Sequence, residues 1–176
     1  MDSVVEKSNK YPSATLMLDI IMKEYEFESN RKNSIESRAG ILLTLVGALL
    51  TIIPTFFSLS KYSKLEIKTV KDIIFPGIAI LLFLLTLVLL SFSIIYFVKS
   101  LSTKNYERLS YTGFNKDNAS ALESEVALCI MCEYAKSIKI NIEANNDKVN
   151  KFNSAIFFLK YALILYASMF IITQFI

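Results

Sequence analysis

The sequence predicts an all-α integral membrane protein with three transmembrane helices, a long N-terminal cytoplasmic helix and a helical cytoplasmic loop. Three observations predict it. Of 176 residues, 53% are hydrophobic and only 20% charged, more apolar than an ordinary soluble domain of this length. The apolar residues are gathered in continuous blocks rather than alternating with period two, and four glycines and three prolines leave little turn chemistry for a membrane barrel. Three of the blocks are long enough to cross ~30 Å of hydrocarbon at ~1.5 Å per helical residue.

Residues 1–38 form the first element. The opening Met1, Asp2 and Ser3 and the polar residues behind them lack the basic stretch and short apolar core of a cleaved leader, so the first apolar block is expected to remain as an anchor. Pro12 suits a first turn, and no further Pro or Gly occurs before Arg38, which predicts one long helix running into the membrane without a break. Glu28 stands three and four residues before Arg31 and Lys32, supporting a charged face, while Met17, Ile20, Ile21, Tyr25 and Phe27 supply an apolar face able to dock on something.

The first span is residues 39–59, uncharged throughout, followed by an external loop at 60–72. The second span, 73–98, is also uncharged and, at ~39 Å, long enough to tilt or protrude into the headgroups. The loop 99–151 is expected to be helical: Ser120 and Glu123 have capping-box spacing, and Leu122, Val126, Ile130, Tyr134, Ile138 and Ile142 recur at helical intervals. Asn145, Asn146 and Asp147 are expected to break that helix before the third span, 152–176, whose one charge is Lys160. Lysine and arginine fix the orientation. The N-terminal segment and the 99–151 loop hold fourteen against four in the 60–72 loop, which predicts a cytoplasmic N-terminus and an external C-terminus.

Composition removes several classes of function. Histidine is absent, and with it Ser-His-Asp and Cys-His catalysis and most zinc sites. The net charge of +3 comes from interspersed residues, without the basic block that direct nucleic-acid binding needs. Cys129 and Cys132 form a lone CxxC, better read as part of an apolar helix face than as redox or metal chemistry. Carboxylates such as Glu123, Glu125 and Glu133 fall on a solvated helix with no desolvating pocket to tune them. No catalytic, cofactor or metal site is expected.

The sharpest pattern is on the first span. Gly40, Thr44, Gly47, Thr51, Pro54 and Ser58 alternate spacings of four and three, making a stripe of small or weakly polar residues on a helix otherwise filled by Leu, Ile, Val and Phe. Small residues let membrane helices approach closely. The stripe is therefore a packing face, within one chain or between copies, or the wall of a narrow pore; Pro54 also frees a backbone carbonyl. On the third span Asn153, Lys160, Ala167 and Gln174 are seven apart and share a face. Lys160 either extends its ammonium to the headgroups or meets protein or an anion. The second span offers Thr86, Ser91 and Ser93 and reads as mostly lipid-facing or structural. Tyr106, Tyr111 and Phe114, around the Thr112-Gly113 turn, suit a docking patch or an interfacial aromatic belt.

The run EYEFESNRKNSIESRAGILLTLVGALLT, Glu24 to Thr51, joins a charged helix directly to a small-residue span. It resembles the approach to the first membrane helix of small bacterial defence effectors, particularly SLATT-type proteins and Pycsar transmembrane effectors. The resemblance covers about a quarter of the chain. It implies an antiphage role in which activation compromises the bacterial inner membrane. Taken together with the first-span stripe, the leading reading is an inner-membrane effector that oligomerises and compromises or conducts across the membrane when a cytoplasmic partner or small ligand triggers it. Those families usually have a two-span core, whereas a third span and a long helical loop are present here, and no nucleotide-binding domain is visible. The other class that fits the residues is a membrane-anchored scaffold recruiting a soluble partner without conductance of its own.

Overall fold

The structure is a computed structural model describing residues 11–57, 70–102, 106–110, 113 and 116–174, without the side chains of 56, 71, 117 and 118. Among these residues the elements are helices: α1 (Ala14–Phe56), α2 (Lys71–Leu101), the single turn α3 (Lys116–Ala119) and α4 (Glu123–Thr173). Three of them are long and apolar enough to cross a membrane. Of the loop expected at 60–72, residues 60–69 lie outside the described residues, as do Ser58, Tyr111 and Phe114, while Lys71 and Asp72 already belong to α2.

The local chemistry accounts for the boundaries. Tyr11 and Ser13 supply the carbonyls that receive the first turn of α1, with Pro12 between them, and the helix then runs unbroken for 43 residues. It ends two residues after Pro54, whose own carbonyl accepts the Phe57 N–H at 3.2 Å. Pro54 therefore sits in the last turn and marks a terminus, not a mid-span kink. At the start of α4, Leu122 accepts from Glu125 and Val126. Contrary to expectation, α4 is not interrupted at Asn145, Asn146 and Asp147 but continues for 51 residues. Asn145 is fully buried and its side-chain amide is spent on α1. An asparagine so engaged does not compete for its own backbone, which is what makes the residue a helix breaker elsewhere.

Burial along each long helix steps by three and four. On α2 the buried positions are Pro76, Ala79, Phe83, Thr86, Leu90, Ser93, Phe97 and Ser100. On α4 the series includes Asn141, Asn145, Lys148, Ala155, Leu159, Ala162 and Met169, and on α1 it includes Glu28, Ala39, Val46 and Ile53. This heptad-like spacing is the pattern of helices packed at shallow angles with interdigitating side chains.

The chain forms two compact units, Met1–Asn33 with Thr103–Asn146, and Ser34–Ser102 with Asp147–Ile176. The second unit is held by an apolar seam of Ala39, Val46, Ile53, Phe83, Leu90, Phe97 and Leu159, with Phe57 stacked on Phe83 at 4.1 Å between ring centroids. Within it Ser93 Oγ donates to the Ala155 carbonyl at 3.0 Å and Ser100 Oγ to the Lys148 carbonyl at 3.1 Å. Seven residues forward on α2 match seven backward on α4, which fixes an antiparallel register. Thr86 and Ser93 are fully buried, so part of α2 that read as lipid-facing or structural is the close-packed side of this unit.

Replacing Ser93 by Leu should push α2 from α4 and cost ~1–3 kcal/mol. Ser91, exposed and bonded to the Leu87 carbonyl of its own helix, is the control. Thermal unfolding in detergent should show a lowered midpoint for S93L and an unchanged one for S91L.

Candidate functional site

The small-residue stripe of α1 does not face the apolar seam. Its seam positions are Ala39, Val46 and Ile53, all at most 1% exposed, and the stripe runs beside them, about 100° round the helix. Thr44, Thr51 and Pro54 are exposed and Gly40 and Gly47 half-buried. A Cβ added at Gly40 or Gly47 would meet nothing within 4 Å. Neither glycine is therefore demanded by packing inside the chain. The hydroxyls on this side turn inward: Thr44 Oγ1 donates to the Gly40 carbonyl at 3.1 Å, Thr51 to Ala48 at 2.8 Å and Thr55 to Ile52 at 2.6 Å. With donors satisfied by their own helix, these threonines present methyl groups and little bulk, a surface acceptable to lipid or to another helix.

On α4 the predicted line of Asn153, Lys160, Ala167 and Gln174 is exposed at all four positions. Lys160 is therefore not bundle-facing. Outward apolar side chains flank it, among them Phe157 and Tyr161, whose rings meet at 4.6 Å.

Lys148 was not evident in the sequence as a site. Its side chain is 3% exposed and its Nζ lies 2.6 Å from Glu36 Oε1, joining α4 to α1 in the second unit. With Lys148 buried and Glu36 half-buried, the pair contributes little net stability, because desolvation of the lysine offsets attraction, but it penalises any register that separates the partners. The signal was present: Asn141, Asn145 and Lys148 continue, in steps of four and three, the small-residue series Ala155 and Ala162.

The first unit holds a second polar group. Glu28, 4% exposed, receives the Asn145 amide on both its carboxylate, at 2.7 Å, and its carbonyl, at 2.9 Å. Arg31 lies 3.4 Å from the same carboxylate and donates to Asn146 Oδ1 at 2.8 Å. Asn141 exchanges two hydrogen bonds with the backbone of Glu107, at 2.9 and 3.1 Å, pinning the segment 106–110. Tyr25 reaches the Glu107 carbonyl and packs edge-on against Tyr134. Tyr106 is half-buried beneath the Lys32 ammonium, 4.4 Å from its ring centre. Burial raises the Tyr106 hydroxyl, which has no hydrogen-bond partner among the described residues, above its ordinary pKa, and burial with Tyr25 nearby does the same for Tyr134. Tyr106 thus belongs to the packing of this unit more than to an open docking patch.

Cys129 and Cys132 are free and exposed, off the packed side of α4 that the sequence suggested for them. Among the described residues no group of three or more acidic or cysteine side chains is placed to hold a metal. A shallow groove of ~390 Å³ is lined by Thr15, Leu18, Ala121, Val126, Ala127 and Ile130, with Glu123 at its rim. Its walls are mostly apolar, without the convergent polar groups that fix a ligand's orientation.

Asn145→Leu should strand the Glu28 carboxylate without its closest donor and cost ~2 kcal/mol, whereas Asn146→Leu, at an exposed contact, should stay within about 0.5 kcal/mol. Denaturant titration followed by circular dichroism compares them. Comparison of the chain with family models, with curated proteins and with solved structures finds no match.

Proposed function

We propose that the protein is a multi-pass effector of the bacterial inner membrane that self-associates through the outward side of α1 and, once assembled, compromises or conducts across the membrane. The observation that carries this reading is the separation of two faces on one helix. Ala39, Val46 and Ile53 serve the chain's own seam, while Gly40, Thr44, Gly47, Thr51 and Pro54 are left with room beside them. In a bilayer, apolar side chains gain nothing by leaving lipid for one another, so a side that admits close backbone approach is where a second helix gains dispersion contacts. The lysine and arginine distribution supports an N-terminus in the cytoplasm. The trigger would come from a cytoplasmic partner or small ligand, and the antiphage setting follows only from the resemblance at Glu24 to Thr51.

A scaffold without conductance is the second reading. It draws on the first unit, where α1 leaves Leu16, Ile20 and Phe27 at least 60% exposed and Met17 half exposed. An apolar surface of this size ahead of a membrane helix suits a soluble partner.

Gly47→Leu and Thr51→Leu should each reduce the assembled species by at least about tenfold, the penalty of overfilling a close contact. Cross-linking in native membranes reads the assembly, and wild-type oligomer yield in both variants would sink the interface. Membrane potential in induced cells separates the two readings. Depolarisation before loss of viability, absent in the two variants, is expected of the effector; an unchanged potential despite confirmed insertion favours the scaffold.

A further inference from the structure

Lys160 is the one charged residue within the three apolar stretches 39–59, 73–98 and 152–176, and it points away from the seam. The register between α2 and α4 gives its depth. Ser93 with Ala155 and Ser100 with Lys148 extrapolate to Lys160 beside Val88. Lys160 is nine residues from Lys151 on its own helix, and its level on α2 is sixteen residues from Asp72, about 14 and 24 Å along the axis. A lysine side chain reaches roughly 6 Å. Even aimed at the nearer headgroups, the ammonium stops several ångströms inside the hydrocarbon. None of the three apolar stretches contains an aspartate or glutamate to pair with it. A cation held there against lipid is costly, and such residues normally face protein or a water-filled cavity. The positions one and two heptads away along the same line are also unlike lipid-facing residues: Asn153 and Gln174 are exposed amides, and Ala167 between them is small.

We infer that this line of α4 is the water-facing wall of a passage closed by further copies of the chain, and that Lys160 makes the passage selective for small inorganic anions such as chloride. Symmetry sets one Lys160 per copy at a common level, and a ring of ammonium groups without acidic partners draws anions and repels cations. The inference rests on the self-association proposed above.

The test is thiol reactivity in membranes. On a background with Cys129 and Cys132 replaced by Ser, single cysteines are placed at Asn153, Lys160, Ala167 and Gln174, and at Ile156, Leu163 and Phe170, which are exposed on a neighbouring apolar line. The probes are a charged, membrane-impermeant maleimide and a matched pair of anionic and cationic methanethiosulfonates. Reaction requires a hydrated thiolate, so Lys160→Cys and Ala167→Cys should react within about tenfold of Asn153→Cys and the apolar line about a hundredfold more slowly. Ala167→Cys should prefer the anionic reagent, and Lys160→Gln should erase that preference. Reaction at Asn153 and Gln174 alone, with Lys160→Cys and Ala167→Cys as slow as Ile156→Cys, overturns the passage and identifies a lysine stretched toward the headgroups. Cross-linking of the same samples keeps the two ideas apart: assembled protein with an unreactive line leaves self-association standing, while protein that stays monomeric overturns both.

Discussion

The closeness of α2 and α4 is the constraint on which the second unit depends. A serine hydroxyl reaches the opposing backbone carbonyl only where neither helix interposes a large side chain, and Ser93 on Ala155 and Ser100 on Lys148 meet that condition twice, one heptad apart. Ala79, Thr86 and Ala162 continue the small positions, all fully buried. In lipid this economy matters more than in water, because burying leucine against leucine offers no gain over burying it against acyl chains. The large side chains Phe83, Leu90, Phe97 and Leu159 fill the spaces between small layers. They set density, while the small layers set register.

Where α1 and α4 meet, polar pairs take over the task of fixing register. Lys148 with Glu36, and Glu28 with Asn145, place a buried charge on one helix against a matched group on the other. A slip of one heptad would leave both charges buried without partners, a far larger penalty than the pairs return in the correct alignment. The carboxamide of Asn145 is suited to this because it addresses the Glu28 carboxylate and carbonyl together. Asn141 performs the corresponding task for the segment at Glu107. Each pair forms within its own unit.

Much of this architecture was legible from composition and periodicity. The three long apolar helices, the unbroken passage from the polar N-terminal segment into the first span, and the helical loop follow from block lengths and the absence of Pro and Gly between Pro12 and Gly40. What misled was local propensity. Asn145-Asn146-Asp147 has the composition of a break, yet a buried partner on another helix turned the first asparagine into a seam residue. The heptad of small residues on α2 is equally present in the sequence but less conspicuous than the glycines of α1. Glycine and proline stand out in a greasy span, whereas serine and threonine, able to satisfy themselves on their own backbone, pass for lipid-compatible filler.

The two kinds of small residue differ in what the fold asks of them. At Ser93 and Ala155 the space is occupied, so a larger side chain meets a helix of the same chain. At Gly40 and Gly47 the space is empty, and one chain alone supplies no packing reason for glycine, which weakens a helix by ~1 kcal/mol relative to alanine. A residue that costs helix stability, on a side its own seam leaves unused, is what the proposed self-association would account for. The same reasoning applies to Lys160, a cation with no acidic partner in the apolar stretches of its own chain. Both features are unfavourable for an isolated chain in lipid, and an assembly that packs the first and hydrates the second removes both costs together.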